Sequence, residues 1–328
     1  MTKYQVVGIG NAVVDVISQC DDAFLSKMDI EKGIMQLIDQ DRGETLYAAM
    51  QGRKQMSGGS VANSVAGLGA MGLKTGFIGR VSDDDLGRFY AKGMAEAGTD
   101  FVNAPVAGSD MTTSRSMIFV SPDGERSMNT YLGISTELSS EDVDDNVAGS
   151  AELLLLEGYL FDKDKGKSAF QAAARACRAG GGKAGISLSD PFCVDRHRAD
   201  FRTLARELDY VLGNEEEWLS LYETTDLENA ISQAVSESGL VVCTRGGDGV
   251  IVAQGDERAK VAIECITPVD TTGAGDQFAA GFLYGVATGQ SLEVSGRMGC
   301  IAAREVIGHY GARPEADVKA IFQAEGLL

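Results

Sequence analysis

Short apolar runs and amphipathic stretches alternate along most of the chain. Tyr4 to Ile9 is an apolar run that ends in Gly8-Ile9-Gly10 and reads as a first strand. Val61 to Met71 has helical spacing, Thr75 to Val81 reads as extended, and Asp84 to Ala97 is helical again. Glu152 to Glu157 encloses Leu153-Leu154-Leu155-Leu156, an unbroken apolar run that suits a strand covered on both faces. A helix over Lys165 to Ala179 follows, then strands over Ala184 to Leu188, Tyr210 to Leu212 and Leu240 to Thr244. Two small-residue-rich helices, Phe278 to Thr288 and Leu292 to Ile307, close the sequence. This order predicts an α/β fold, a doubly wound and mostly parallel sheet flanked by helices. Ligands of such sheets bind at the carboxyl ends of the strands.

Two stretches depart from the alternation. Residues 12–38 and 112–131 show β-branched alternation and turn residues such as Pro122-Asp123-Gly124. They predict a small β-sheet standing off the main body, and a length of 328 residues allows one large domain or two.

Charge then narrows the partners. The chain carries 29 basic and 48 acidic residues, a formal net charge of −19, which disfavours nucleic acid and anionic membranes. An anionic cosubstrate must be held by local N–H groups, a few arginines and a metal. No apolar stretch is long enough to span a bilayer, and the N-terminus lacks the basic-then-apolar order of a signal peptide. The six cysteines are scattered without a C-x-x-C pair, so zinc and a disulfide framework are disfavoured and a cytoplasmic location is expected. With His197 and His309 as the only histidines, a multi-His metal site has almost no material.

The candidate chemistry lies in Asp270-Thr271-Thr272-Gly273-Ala274-Gly275-Asp276, followed by the apolar helix from Gln277. A helix start leaves backbone N–H groups unpaired and favours an anion. Gly273, Ala274 and Gly275 leave such an anion unobstructed, and Asp276 stands where it could take a proton from an attacking hydroxyl. The bland alternative is an acid serving only the helix dipole. Ser57-Gly58-Gly59-Ser60-Val61-Ala62-Asn63 allows close backbone approach and places Asn63 one turn into a helix, although an ordinary helix cap would explain it too. Asn214-Glu215-Glu216-Glu217 reads either as a capping box or as part of a magnesium shell. Thr244-Arg245-Gly246-Gly247-Asp248-Gly249 is either a β-turn or a loop against a nucleotide. Gly67-Leu68-Gly69-Ala70-Met71-Gly72 fits G-x-G-x-x-G, but a helix precedes it and a strand follows, the reverse of a dinucleotide site. Gly166-Lys167-Ser168 lacks the earlier glycine of a P-loop, because Phe161 stands there.

In this order, Asp15, Gly58-Gly59 with Asn63, Asn214-x-x-Glu217, Thr244-x-Gly246-x-x-Gly249 and Asp270 to Asp276 resemble the ribokinase-like (PfkB) family of sugar and nucleoside kinases, over nearly the whole chain. The resemblance implies a single ribokinase-like domain spanning 1–328, with residues 12–38 and 112–131 forming a β lid inserted in the α/β core over the acceptor site. It implies that Asp276 is the general base toward a primary hydroxyl attacking the ATP γ-phosphate, with the N–H groups of Gly273, Ala274 and Gly275 holding the developing charge. Asn214 and Glu217 would place Mg²⁺ through water, and Asn214, Thr244, Gly246 and Gly249 would line the nucleotide site. Asp15, Gly58, Gly59 and Asn63 would bind acceptor hydroxyls, and a monovalent cation such as K⁺ could sit near Asp270–Thr272. Within the family the chain is most similar to adenosine kinases, because Ile186-Ser187-Leu188-Ser189-Asp190-Pro191-Phe192 resembles their stretch ending in a base-contacting Phe. Asp123-Gly124-Glu125-Arg126-Ser127 likewise resembles a lid turn whose Arg moves toward the phosphates. Phe192 is thus expected to stack on a purine and Arg126 to stabilise phosphate charge. The expected acceptor is adenosine, with ribose, fructose or 2-keto-3-deoxygluconate as sugar alternatives and a non-catalytic binder as a remote one. Both a monomer and a homodimer are compatible with the resemblance.

Overall fold

Runs of apolar residues with no polar alternation need cover on both faces, and the computed structural model, which describes residues 3–328, supplies it. Among the described residues, fourteen strands form two sheets. In chain order they are β1 (Tyr4–Ile9), β2 (Val13–Gln19), β3 (Met35–Leu37), β4 (Lys54–Gly58), β5 (Thr75–Ile78), β6 (Thr99–Phe101) and β7 (Ser114–Val120). There follow β8 (Arg126–Tyr131), β9 (Ala151–Glu157), β10 (Lys183–Ser187), β11 (Tyr210–Asn214), β12 (Leu240–Thr244), β13 (Val250–Gln254) and β14 (Glu257–Val261). The large sheet has the order β14-β13-β12-β11-β10-β9-β1-β5-β6 and is parallel except for the pairings of β13 and β14. Leu153 and Leu155 of β9 pack on one face with helices Ser60–Ala70, Ala274–Ala287 and Leu292–Val306, while Leu154 and Leu156 pack on the other with helices Asp164–Ala179 and Pro191–Glu207. The predicted α/β class is therefore what the chain adopts.

The second sheet, β3-β8-β7-β2-β4, contains strands from both stretches expected to form the lid. Two features differ from the sequence expectation. Residues 22–27 are helical, because Asp21 caps them by accepting from the Phe24 N–H at 2.7 Å. Lys54–Gly58 joins the sheet although Lys-Gln-Met-Ser-Gly carries no apolar alternation; antiparallel pairing with β2 extends it. The G-x-G-x-x-G stretch ends helix Ser60–Ala70 as expected. A Cβ on Gly67 would lie 2.4 Å from Gln277 Oε1, so this glycine serves close helix packing. Among the described residues, no helix is long and apolar enough to cross a membrane.

Candidate active site

The carboxyl ends of β1 and β9, two helix starts and the inner face of the small sheet meet around one cleft of about 1460 Å³. Asn11 follows β1 and Glu157 ends β9. Glu157 accepts from the Asn11 N–H (3.2 Å), the Asn11 side-chain amide (2.7 Å) and the Val61 N–H (3.2 Å), tying both strand ends to the start of helix Ser60–Ala70. Gly58 and Gly59 make this junction possible. A Cβ on Gly59, whose φ is 100°, would stand 2.2 Å from the Asn11 carbonyl oxygen, and one on Gly58 would stand 2.3 Å from Asp15 Oδ2.

Asp276 lies in the first turn of helix Ala274–Ala287. Ser60 Oγ donates to its Oδ1 at 2.7 Å and Asn63 Nδ2 donates to its Oδ2 at 3.0 Å. Burial pushes the Asp276 pKa up to about 6, opposed by those two hydrogen bonds and by Arg313. Burial likewise raises Asp15 to about 7, Arg313 and Arg126 opposing and Asp276 adding to the rise. Gly273 caps the helix at φ 79°, where a Cβ would lie 2.5 Å from Ala312 Cα; a Cβ on Gly275 would meet nothing within 4 Å. The Ala274 N–H is turned toward Thr271 O (3.2 Å), whereas the N–H groups of Gly273 and Gly275 have no partner among the described residues.

Arg126, at the start of β8, reaches across to the same turn. It pairs with Asp270 at 2.5 Å, donates to Thr272 Oγ1 at 3.1 Å and lies over the Tyr310 ring. It is not a solvated hairpin residue. Phe192 is 75% exposed and lines the cleft, so it is not a core aromatic. Asn214 and Glu217 form a full capping box with all three contacts at 2.8 Å, and both line the cleft. Glu217 is 4% exposed and burial lifts its pKa to about 7. Thr244 and Gly246 line the cleft further along, and Gly249 closes their turn at φ 83° without lining it.

Asp15, Gly59, Asn63, Phe192, Asn214, Thr244, Gly246, Glu217 and the 273–276 turn thus share one cavity, while Gly58 packs against Asp15 and Arg126 bonds to Asp270 and Thr272 without lining it. Sequence reasoning passes over Asn11, Ser60, Glu157 and Arg313. A carboxylate ending a four-leucine strand is a readable signal for Glu157; Arg313 offers none. Among the described residues no three His, Cys, Asp or Glu side chains are arranged to hold a metal.

A doubly wound sheet with a second small sheet, a helix start open to the cleft and an adjoining buried carboxylate suit a phosphotransferase acting on an alcohol. Residues 30–319 match the pfkB family carbohydrate kinase model, and the chain belongs to that family. Among solved structures it is 42% identical to a probable sugar kinase from Rhizobium etli CFN 42, over all of both chains, with a TM-score of 0.91. It is also 42% identical to the adenosine kinase from Sinorhizobium meliloti, over 99% of this chain and 100% of that one, with a TM-score of 0.90. Among curated relatives, the 5-dehydro-2-deoxygluconokinase of Geobacillus thermodenitrificans (strain NG80-2) is 28% identical, over 77% of this chain and 79% of its own.

Proposed function

We propose that the protein transfers the γ-phosphate of ATP to the 5′-hydroxyl of adenosine. The observation that carries this reading is the apolar surface that lines the same cleft as Asp276. Met35 (50% exposed), Leu37 (59%) and Phe192 leave large apolar area uncovered, more than a free sugar would use and suited to a flat base. At the floor, Asp15, Glu157 and Asp276 disfavour an anionic acceptor such as a sugar acid and suit neutral hydroxyls.

In this reading Asp276 takes the proton of the hydroxyl as its oxygen attacks the γ-phosphorus, and ADP leaves along the line of attack. The N–H groups of Gly273 and Gly275 meet the charge that builds on the transferred group. Arg126 adds positive charge beside that turn. Asp15, Gly59 and Asn63 hold the acceptor hydroxyls, and Thr244, Gly246 and Asn214 line the nucleotide's path. The oxygen donors Asn214 and Glu217 fit a magnesium ion held mainly by phosphate oxygens and water, since the capping box already occupies the Glu217 carboxylate. Such an ion would neutralise phosphate charge. Both Asp270 oxygens are engaged by Thr272, Arg126 and Gly311, and the mechanism assigns them no monovalent cation.

ADP release by purified protein with ATP and magnesium, offered adenosine, ribose, fructose and 2-keto-3-deoxygluconate in separate reactions, tests the proposal. Turnover with adenosine alone is expected. Turnover with a sugar, in keeping with relatives named fructokinase and 5-dehydro-2-deoxygluconokinase, would overturn the acceptor while keeping the chemistry.

A further inference from the structure

Arg313 lies in the turn Gly311-Ala312-Arg313-Pro314, after the last long helix, and the chemistry above gives it no part. Its Nε donates to Asn63 Oδ1 at 3.3 Å, and its Nη2 contacts the Met94 sulfur at 3.3 Å. The other end of the same Asn63 amide donates to Asp276 Oδ2 at 3.0 Å. An amide presents an acceptor at one end and a donor at the other, and a guanidinium can only donate. Arg313 therefore dictates which end of Asn63 faces Asp276. With the opposite sense, an amide oxygen would point at a carboxylate oxygen, and the base would lose one of its two side-chain donors.

We infer that Arg313 is a positioning residue for phosphotransfer: it locks the sense of the Asn63 amide and supplies the positive charge behind Asp15 and Asp276. The inference rests on Asp276 being the general base.

The charged and titratable surroundings agree. Asp15 from β2 and Tyr90 from helix Asp85–Glu96 face Arg313 together with Asp276. Glu157 from β9 lies on the acidic side of the cluster, and Arg126 from β8 acts on Asp15 from the lid. Burial works against Arg313's own charge, while Tyr90, Asp15 and Asp276 support it. Three carboxylates, Asp15, Asp276 and Glu157, thus crowd one floor, and Arg313 is the cation beneath it. A second bond holds the frame: Gln277 Nε2 donates to both the Asn63 carbonyl (3.2 Å) and the Ala312 carbonyl (2.9 Å), fixing the Arg313 turn to the helix that carries Asn63.

Arg313→Met and Arg313→Lys, with melting temperature followed beside kinetics, test this. A charged hydrogen bond of this kind is worth about a tenfold to hundredfold change. Arg313→Met is expected to lower kcat by about that much, to shift the acid limb of the kcat–pH profile upward by about one unit, and to leave the ATP KM nearly unchanged. Arg313→Lys restores the charge and should return the acid limb toward wild type, with kcat still reduced because the Nε donor is gone. A fall in kcat that tracks the melting temperature, with the acid limb unmoved in both variants, would overturn the inference. Carboxyl ¹³C NMR of the free protein, with Asp276 assigned by Asp276→Asn, reads the same effect without turnover. Its titration midpoint should rise in Arg313→Met, and an unmoved midpoint also overturns the inference. Wild-type protein inactive on every acceptor would sink the kinase reading instead, and the NMR titration would still decide whether Arg313 holds the Asp276 carboxylate in its charged form.

Discussion

At the scale of the residue, Asp276 is asked to be charged where burial raises its pKa from 3.8 to about 6. The folded state therefore binds the proton more tightly than the unfolded chain. Between those two values a rise in pH removes stability, and above about 6 the full penalty of the buried charge is present. Base catalysis runs the other way, since only the deprotonated carboxylate accepts the hydroxyl proton. Asp276→Asn should accordingly lower kcat by at least about a hundredfold. Its melting temperature at pH 8 should equal or exceed that of wild type, and the difference should vanish near pH 4. The isostere fits: Oδ1 can accept from Asn63 while Nδ2 donates to the Ser60 hydroxyl. Kinetics and thermal melts across this range check both halves. A large drop in melting temperature at pH 8 would show that Asp276 is held for the fold.

At the scale of the element, the start of helix Ala274–Ala287 separates two glycines of different purpose. Gly273 has φ 79° and a would-be Cβ 2.5 Å from Ala312 Cα, so Gly273→Ala strains the backbone by about 1–3 kcal/mol and should lower the melting temperature. Gly275 is open on its outer side, and Gly275→Ala should keep or slightly raise stability, by up to about 1 kcal/mol, through helix propensity. The new methyl would nonetheless crowd the space where transferred phosphate is proposed to sit, so kcat/KM for ATP should fall while the protein melts normally. Unchanged kinetics in Gly275→Ala would move the phosphate elsewhere. Elements of this kind are legible in the residues alone. Strands buried on both faces declare themselves as apolar runs, as Leu153–Leu156 does, and a Gly-Ala-Gly turn between two acids at the start of an apolar helix is locally distinctive. What stays hidden depends on distance in sequence. Asn11 and Glu157 are 146 positions apart, and neither is unusual until β1 and β9 become neighbours. Arg313 is a single cation in a turn, given meaning only by an Asn 250 positions earlier. Strand β4 carries no periodic pattern because it is drawn into place by β2.

At the scale of the whole molecule, the small sheet has two faces with separate uses. Asp15, Ser116, Ile118, Met128 and Thr130 point to the cleft, alternating with Val14, Val16, Met117 and Phe119, which are buried on the outer face. That outer face is covered by the chain's own helices: Phe24 of Asp22–Lys27 packs on Phe119 with ring centroids 5.4 Å apart, and Leu46 of Gln40–Ala49 is fully buried against the same core. The outer face is thus closed to a second copy, the inner face is the one proposed to take the acceptor, and the net charge of −19 adds repulsion between copies. The expected species in sedimentation velocity at micromolar concentration is therefore a monomer of 34.6 kDa. The exposed Leu37 distinguishes the two ways its apolar surface could be used. If it serves the acceptor, Leu37→Glu raises the acceptor KM and leaves the sedimenting mass alone. If it serves pairing, wild type sediments as a dimer and Leu37→Glu breaks it, and the assignment of the lid's inner face to a base would then have to be withdrawn.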